Sequence, residues 1–208
     1  MLERLFPRER DFFPTFDRIS DCLSDATVEL LKAIDGSSRP MDCLEQTKKL
    51  EKKATRIVRE SIQDLHNTFV TPFDRSHIFK FMILHTEIIS LIRLLTEKLN
   101  SYGIQKLPLE SIEIVSHCGQ CCGLIRKMVG QMKKIKRPAD TLNVCVSIYE
   151  MLASNNLLAF AVSKELYASE TDIKKLLKIK EINQDLISVT KKFEAISFLI
   201  EEIILEYA

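Results

Sequence analysis

Apolar residues between 78 and 99 recur at alternating spacings of three and four, at Ile78, Phe81, His85, Ile88, Ile92, Leu95 and Leu99. At 3.6 residues per turn such positions form one stripe, the seam of a helix packed against other helices. Phe79, Ile83, Leu84, Ile89, Leu91 and Leu94 spread apolar surface around the rest of the helix, so the segment is expected at the centre of a bundle.

Five other segments carry the helical period, and the breaks between the six fall at 36–40, 71–72, 103–108, 137–138 and 169–172. In the first, Phe16, Ile19, Leu23, Ala26, Leu30 and Ala33 form a seam. The second, expected over 41–69, sets Leu50, Ala54, Ile57, Val58, Ile62, Leu65 and Phe69 against a face dense in Lys, Arg and Glu. The fourth, expected over 109–135, has small residues at Cys118, Gly119, Cys121, Cys122 and Gly123, where a neighbour is expected to approach closely. The fifth, expected over 140–168, carries a seam through Leu142, Cys145, Tyr149, Leu152, Asn156, Ala159 and Leu166, with the polar Asn156 setting register. The sixth runs through Ile179, Ile182, Leu186, Val189, Phe193, Ile196, Ile200, Ile203 and Tyr207. Segments three and six are alike, each long and each preceded by another helix, which suggests two similar three-helix halves, roughly 1–103 and 104–208.

The composition fits an all-α reading: of 208 residues 28% are charged and 46% apolar, with only 5 Gly and 6 Pro. The formal net charge of +1 gives no global attraction to nucleic acid or to a membrane surface. Residues 1–10 lack the apolar core of a signal peptide, and no uncharged apolar run approaches the roughly 18 residues of a membrane span. A cytoplasmic location is expected, with contact at the inner face of a membrane allowed, and the six cysteines are expected to be reduced.

The break Phe69-Val-Thr-Pro-Phe-Asp-Arg75 reads as a tight reversal between helices. Thr71 precedes Pro72 and is pushed out of the α region. Either Thr71 caps a helix opened by Pro72, with Asp74 in the reciprocal position of a capping box, or Asp74 itself is the cap.

Among clusters with chemistry, His117-Cys118-Gly-Gln-Cys121-Cys122 offers two donors on each of two helix faces. Zinc asks for four ligands, and no second Cys pair stands at finger spacing, so small-residue helix packing explains it better. His85, alone among Ile and Leu, reads as a hydrogen-bonded core residue. Arg126, Lys127, Lys133, Lys134, Lys136 and Arg137 form a basic run ending the fourth helix. They exceed what the helix dipole accounts for, so Lys133, Lys134, Lys136 and Arg137 are candidates for docking on an acidic loop or anionic headgroups. No phosphate-cradling glycine loop, nucleophile elbow or two-histidine metalloprotease motif occurs.

Three stretches resemble the PhoU-like family of phosphate transport regulators. They are Leu5-Phe-Pro-Arg-Glu-Arg-Asp-Phe-Phe13 with Phe16, Leu65-His-Asn-Thr-Phe-Val-Thr-Pro-Phe-Asp-Arg75, and Ile203-Ile-Leu-Glu-Tyr-Ala208. The resemblance implies a PhoU-type six-helix bundle of two pseudo-repeated three-helix halves, and an accessory role beside a phosphate permease. It also implies metal clusters held by acidic pairs four apart on the third and sixth helices, aided by the second and fifth. In this sequence the third-helix pair falls at Thr86 and Ser90, leaving Glu87; on the sixth Glu194 remains while its partner falls at Phe198; on the second the positions are Lys53 and Thr55. Metal binding is therefore expected to be weakened or lost, and no cofactor is expected, Glu87 and Glu194 marking a degenerate site.

The resulting expectation is a non-enzymatic regulator that contacts a sodium- or proton-coupled phosphate permease and no nucleic acid. Two alternatives stand beside it. One is a metal-binding bundle using Glu87, Glu194, His85 and the 117–122 cluster; the other is a scaffold that forms a homo-oligomer through an exposed seam.

Overall fold

The computed structural model describes residues 11–133 and 138–208, which form helices and no strand. The helices are α1 (Phe13–Asp35), α2 (Pro40–His66), α3 (Arg75–Tyr102), α4 (Leu109–Met132), α5 (Pro138–Ser169) and α6 (Ile173–Tyr207). Lys134, Lys136 and Arg137, like residues 1–10, lie outside the described residues.

The ends follow local chemistry. Asp11 accepts a hydrogen bond from the Phe13 N–H at 2.9 Å where α1 begins. Asp172 caps α6 by accepting from the Lys174 and Lys175 amides. Gly36 and Gly103 stop α1 and α3 in the left-handed region, at φ 84° and 68°, where a side chain would be strained. After α3 the Ile104 N–H returns to the Leu99 carbonyl at 3.0 Å, and the Leu107 N–H reaches Ile34 O at 2.9 Å, anchoring the chain crossover to the end of α1.

Helices α1, α2 and α3 pack on one another, as do α4, α5 and α6. The two groups join through α1 against α4 and α3 against α6, so first and third helices meet their counterparts. Cross-helix pairs give the directions. Asp17 with Lys133 and Thr27 with Cys122 make α1 antiparallel to α4. Lys80 with Glu202 and Tyr102 with Glu181 make α3 antiparallel to α6. Helices α2 and α5 lie on opposite flanks, each touching only its own group. The core runs through both groups without a break and includes Phe16, Phe81, Phe193 and Ile19, each fully buried. Burying one such side chain contributes about 1.5–3 kcal/mol.

Every residue of the α3 seam expected from the 78–99 pattern is buried. Several other expectations need correction. Helix α2 ends at His66, not at 69, because Asn67 closes it and the chain turns away. Phe69 is consequently 83% exposed, and Ile62 is also exposed. Helix α3 begins at Arg75, with Asp74 accepting from the Ser76 N–H at 2.7 Å, so Thr71 is not a cap and Pro72 does not open the helix. The Thr71 hydroxyl instead donates to Phe73 O at 2.7 Å within the turn. Phe79 and Leu94 face solvent, so α3 is less completely surrounded than its composition implies. On α5 the buried stripe passes through Ile148, Leu152, Asn155, Ala159 and Val162, placing Asn155 inside and Asn156 outside. Two registers share Cys145, Leu152, Ala159 and Leu166. The one that also buries Ile148 and Val162 prevails because it covers more aliphatic surface. Of the small residues on α4, a β-carbon placed on Gly119 would stand 4.0 Å from the Thr27 methyl group, an ordinary contact, and one on Gly123 would meet open space, so neither glycine is needed for a close approach.

Candidate functional site

The position at which the resemblance implies acidic pairs is a shallow groove on α3. It is lined by Ile83, Thr86, Glu87, Ser90, Leu91, Leu94 and, from α6, Lys192, enclosing about 320 Å³. The Lys192 ammonium donates to Glu87 Oε2 at 2.7 Å. A hard cation needs several oxygen ligands, and here a lysine from the facing helix already neutralises the one carboxylate that the groove contributes. The Thr86 hydroxyl is turned into its own helix, donating to Met82 O at 3.0 Å. Glu194 is half-buried and has no hydrogen-bond or ion-pair partner among the described residues. Phe198, where its acidic mate would stand, is exposed and packs its ring against Tyr149 at 4.7 Å. Among the described residues no group of three or more His, Cys, Asp or Glu side chains is gathered in a way that could hold a metal. The donor set does not fit a metal cluster. Lys192 went unnoticed in the sequence because nothing local links it to Glu87, 105 residues away.

The rest of the α3 and α6 seam is likewise bridged by charge. Lys98 contacts Glu181 at 2.8 Å and Asp185 at 2.6 Å. Burial acts to lower the Lys98 pKa, but its hydrogen bonds to Asp185 and Glu181 outweigh this and hold it above the ordinary lysine value. At the other end His77, itself buried, lies 3.5 Å from Glu202 and 3.6 Å from Glu206.

The basic run is partly engaged within the chain. Lys133 donates to Asp17 at 2.9 Å and sits over the Phe13 ring at 5.7 Å, while Arg126 bonds Asp21. Both acidic partners come from α1, so these cations serve the α1 and α4 contact. Lys127 remains exposed.

The 117–122 cluster divides among its neighbours. His117 Nδ1 lies 2.7 Å from the side-chain oxygen of Asn155 on α5, and Asn155 donates to the Thr190 hydroxyl on α6 at 3.2 Å. Cys121 faces Met151 on α5 at 3.9 Å, and Cys122 faces Thr27 on α1 at 3.6 Å. Burial pushes the Cys121 and Cys122 thiols up to about 12, and Cys118 well above its ordinary value. A protonated thiol is a poor nucleophile, and Cys121 and Cys122 face different helices, so the cluster packs around one hydrogen-bonded chain from His117 to Thr190. His85 is fully enclosed, between Phe81 O at 2.8 Å from Nδ1 and the Ser20 hydroxyl at 3.2 Å from Nε2.

The turn at 69–75 is built into a corner. Thr68 donates to Asp64 O, Arg75 donates to Thr68 O, and Phe73 is buried with its ring edge-on to Phe13 and to Tyr207, centroids 5.8 and 5.4 Å away. Phe69 and Val70 alone in this turn present apolar side chains to solvent.

Comparison with known proteins adds one relative and two solved structures. No protein-family profile matches the chain. A Rhizobium meliloti (strain 1021) protein named "Putative pit accessory protein" is 22% identical over 187 residues, covering 80% of this chain and 87% of that one. A PhoU-like protein from Shewanella oneidensis MR-1, solved by crystallography, superposes with a TM-score of 0.76 at 13% identity, covering 94% of this chain and 97% of its own. A second PhoU-like structure from the same organism gives 0.74 at 14% identity, with the same coverage. The chain therefore has the all-α, six-helix fold of the PhoU-like proteins.

Proposed function

We propose that this protein is a non-enzymatic accessory regulator of phosphate transport that works by contacting a membrane phosphate permease from the cytoplasmic side. The observation that carries this reading is the likeness, across 80% of the chain, to a protein named as an accessory of Pit, together with the PhoU-like fold. The chemistry of these side chains agrees with a contact role: burial raises the Cys122 thiol pKa to about 12, and the groove carboxylate is paired with Lys192. No resident metal takes part in the proposed mechanism.

The test is a pull-down of the tagged protein from gently solubilised cells grown with abundant and with scarce phosphate. A phosphate permease enriched in one condition, and lost when Lys133, Lys134, Lys136 and Arg137 are changed to Glu, supports the reading. Because Lys133 is bonded to Asp17, an Asp17→Ala variant controls for loosening of the α1 and α4 contact and should keep the permease. Absence of any phosphate transporter in both conditions overturns the proposal.

A further inference from the structure

Helices α2 and α5 occupy corresponding flanks of the two groups, yet their outer faces are opposite in character. The outer face of α2 carries Lys48, Lys49, Lys52, Lys53, Arg56 and Arg59, all exposed. That of α5 carries Val146, Leu157, Phe160 and Tyr167, exposed to 51, 73, 70 and 62%. No charged residue occurs over 151–163. By length and composition α5 could cross a membrane, and only 28% of its most apolar window is buried. Scattered exposed apolar residues need no explanation, but a stripe running along one helix does.

The stripe has an internal symmetry that selects its occupant. Glu150 stands one heptad before Leu157 and Lys164 one heptad after, so all three share a face. Both charges are exposed and have no ion-pair partner among the described residues. A two-fold axis through Leu157 sets a second α5 antiparallel on the first and brings Glu150 of each copy opposite Lys164 of the other. The same operation brings Ala153 opposite Ala161 and Ser154 opposite Phe160, so small side chains leave room for the exposed ring. Self-complementarity of this kind is what a two-fold interface between identical chains requires. A lipid surface or an unrelated helix gains nothing from a charge pattern that inverts about its centre. The stretch from 146 to 168 is about 33 Å long at 1.5 Å per residue, enough for an extended helix contact.

We infer that the outer face of α5 binds a second copy of this chain, α5 antiparallel on α5 about Leu157, with Glu150 paired to Lys164 across the interface. The interface is independent of the permease contact and uses none of the candidate docking cations.

The test is sedimentation velocity on the purified full chain without any partner, from about 1 to about 100 µM, a range that spans micromolar affinity. The wild type is expected to dimerise. Leu157→Arg, which sets two like charges against each other on the axis, is expected to give a monomer of unchanged helix content. Glu150→Lys and Lys164→Glu are each expected to raise the dimer dissociation constant about tenfold, and the double variant to restore it, because the pair is re-formed in reverse. A wild type monomeric throughout the range overturns the inference. So does a dimer indifferent to Leu157→Arg, or a double variant weaker than either single one. Binding of the monomeric wild type to vesicles of neutral phospholipid, lost in Leu157→Arg, would also overturn it and assign the face to a membrane.

Discussion

The backbone N–H of Asp74 donates to the phenolic oxygen of Tyr207 at 2.8 Å, tying the corner between α2 and α3 to the end of α6. Phe73 packs edge-on against Tyr207 on one side and Phe13 on the other. Residues 11–16, 65–75 and 203–208, the described parts of the three stretches that carry the resemblance, therefore meet at one end of the bundle.

Tyr207→Phe keeps the ring against Phe73 and loses only the hydrogen bond to an amide that water can reach. Thermal unfolding followed by circular dichroism should show a drop of about 1–3 °C. Tyr207→Ala removes the ring as well and should lower the midpoint further. Equal effects of the two variants would mean that the ring contact contributes nothing.

His85 should make stability depend on pH. The Phe81 carbonyl can only accept, so Nδ1 carries the proton and Nε2 accepts from Ser20. Burial lowers the pKa to about 4, the Phe81 carbonyl opposing it. An unfolded histidine titrates near 6.5, so below that value the unfolded chain takes up a proton that the native state refuses. This contribution is complete above 6.5. It falls by about 1.4 kcal/mol per pH unit as pH drops toward about 4. Urea unfolding at about pH 7.5 and about pH 5, compared with His85→Gln, should show the stability gap between the two proteins narrowing in acid. A constant gap would rule out titration of His85 as its source.

The six cysteines should resist modification. All are buried, and burial holds Cys121 and Cys122 at about 12 and Cys43 at about 11. A thiol-reactive chromophore should label the native protein far more slowly than the urea-unfolded chain, which should titrate six thiols. Rapid labelling of any one would place that cysteine in a segment that opens locally.

Metal analysis after purification without chelator, and again after incubation with iron, manganese and zinc, should give substoichiometric content. Lys192 already bonds the Glu87 carboxylate, and the α6 position that would complete a pair holds Phe198. Stoichiometric metal bound by the wild type and lost in Glu87→Gln would overturn this assignment.

Core Phe193→Ala should cost about 3–5 kcal/mol in equilibrium unfolding, because the ring is wholly buried and its removal leaves a cavity between helices. A loss below about 1 kcal/mol would mean that the seam of α6 repacks freely.

Local chemistry alone settled much of this protein. The three-and-four spacing of Ile78 to Leu99 specified a buried helix, because periodicity determines which side chains share a face. The sequence also identified the turn and offered Asp74 as one of two caps. What it left open was settled only where distant segments meet. Asn155 rather than Asn156 faces inward in the register that also buries Ile148 and Val162, and its amide there meets His117 and Thr190 on neighbouring helices. Phe69 extends the apolar stripe of α2 on paper, but the chain leaves the helix before reaching it. The candidate sites depended still more on tertiary structure. Glu87 looked like the remnant of a metal site until α6 brought Lys192 to it, and Lys133 looked free until α1 brought Asp17. A residue's period is a property of its own helix; whether its charge is spent or available depends on which helix folds against it.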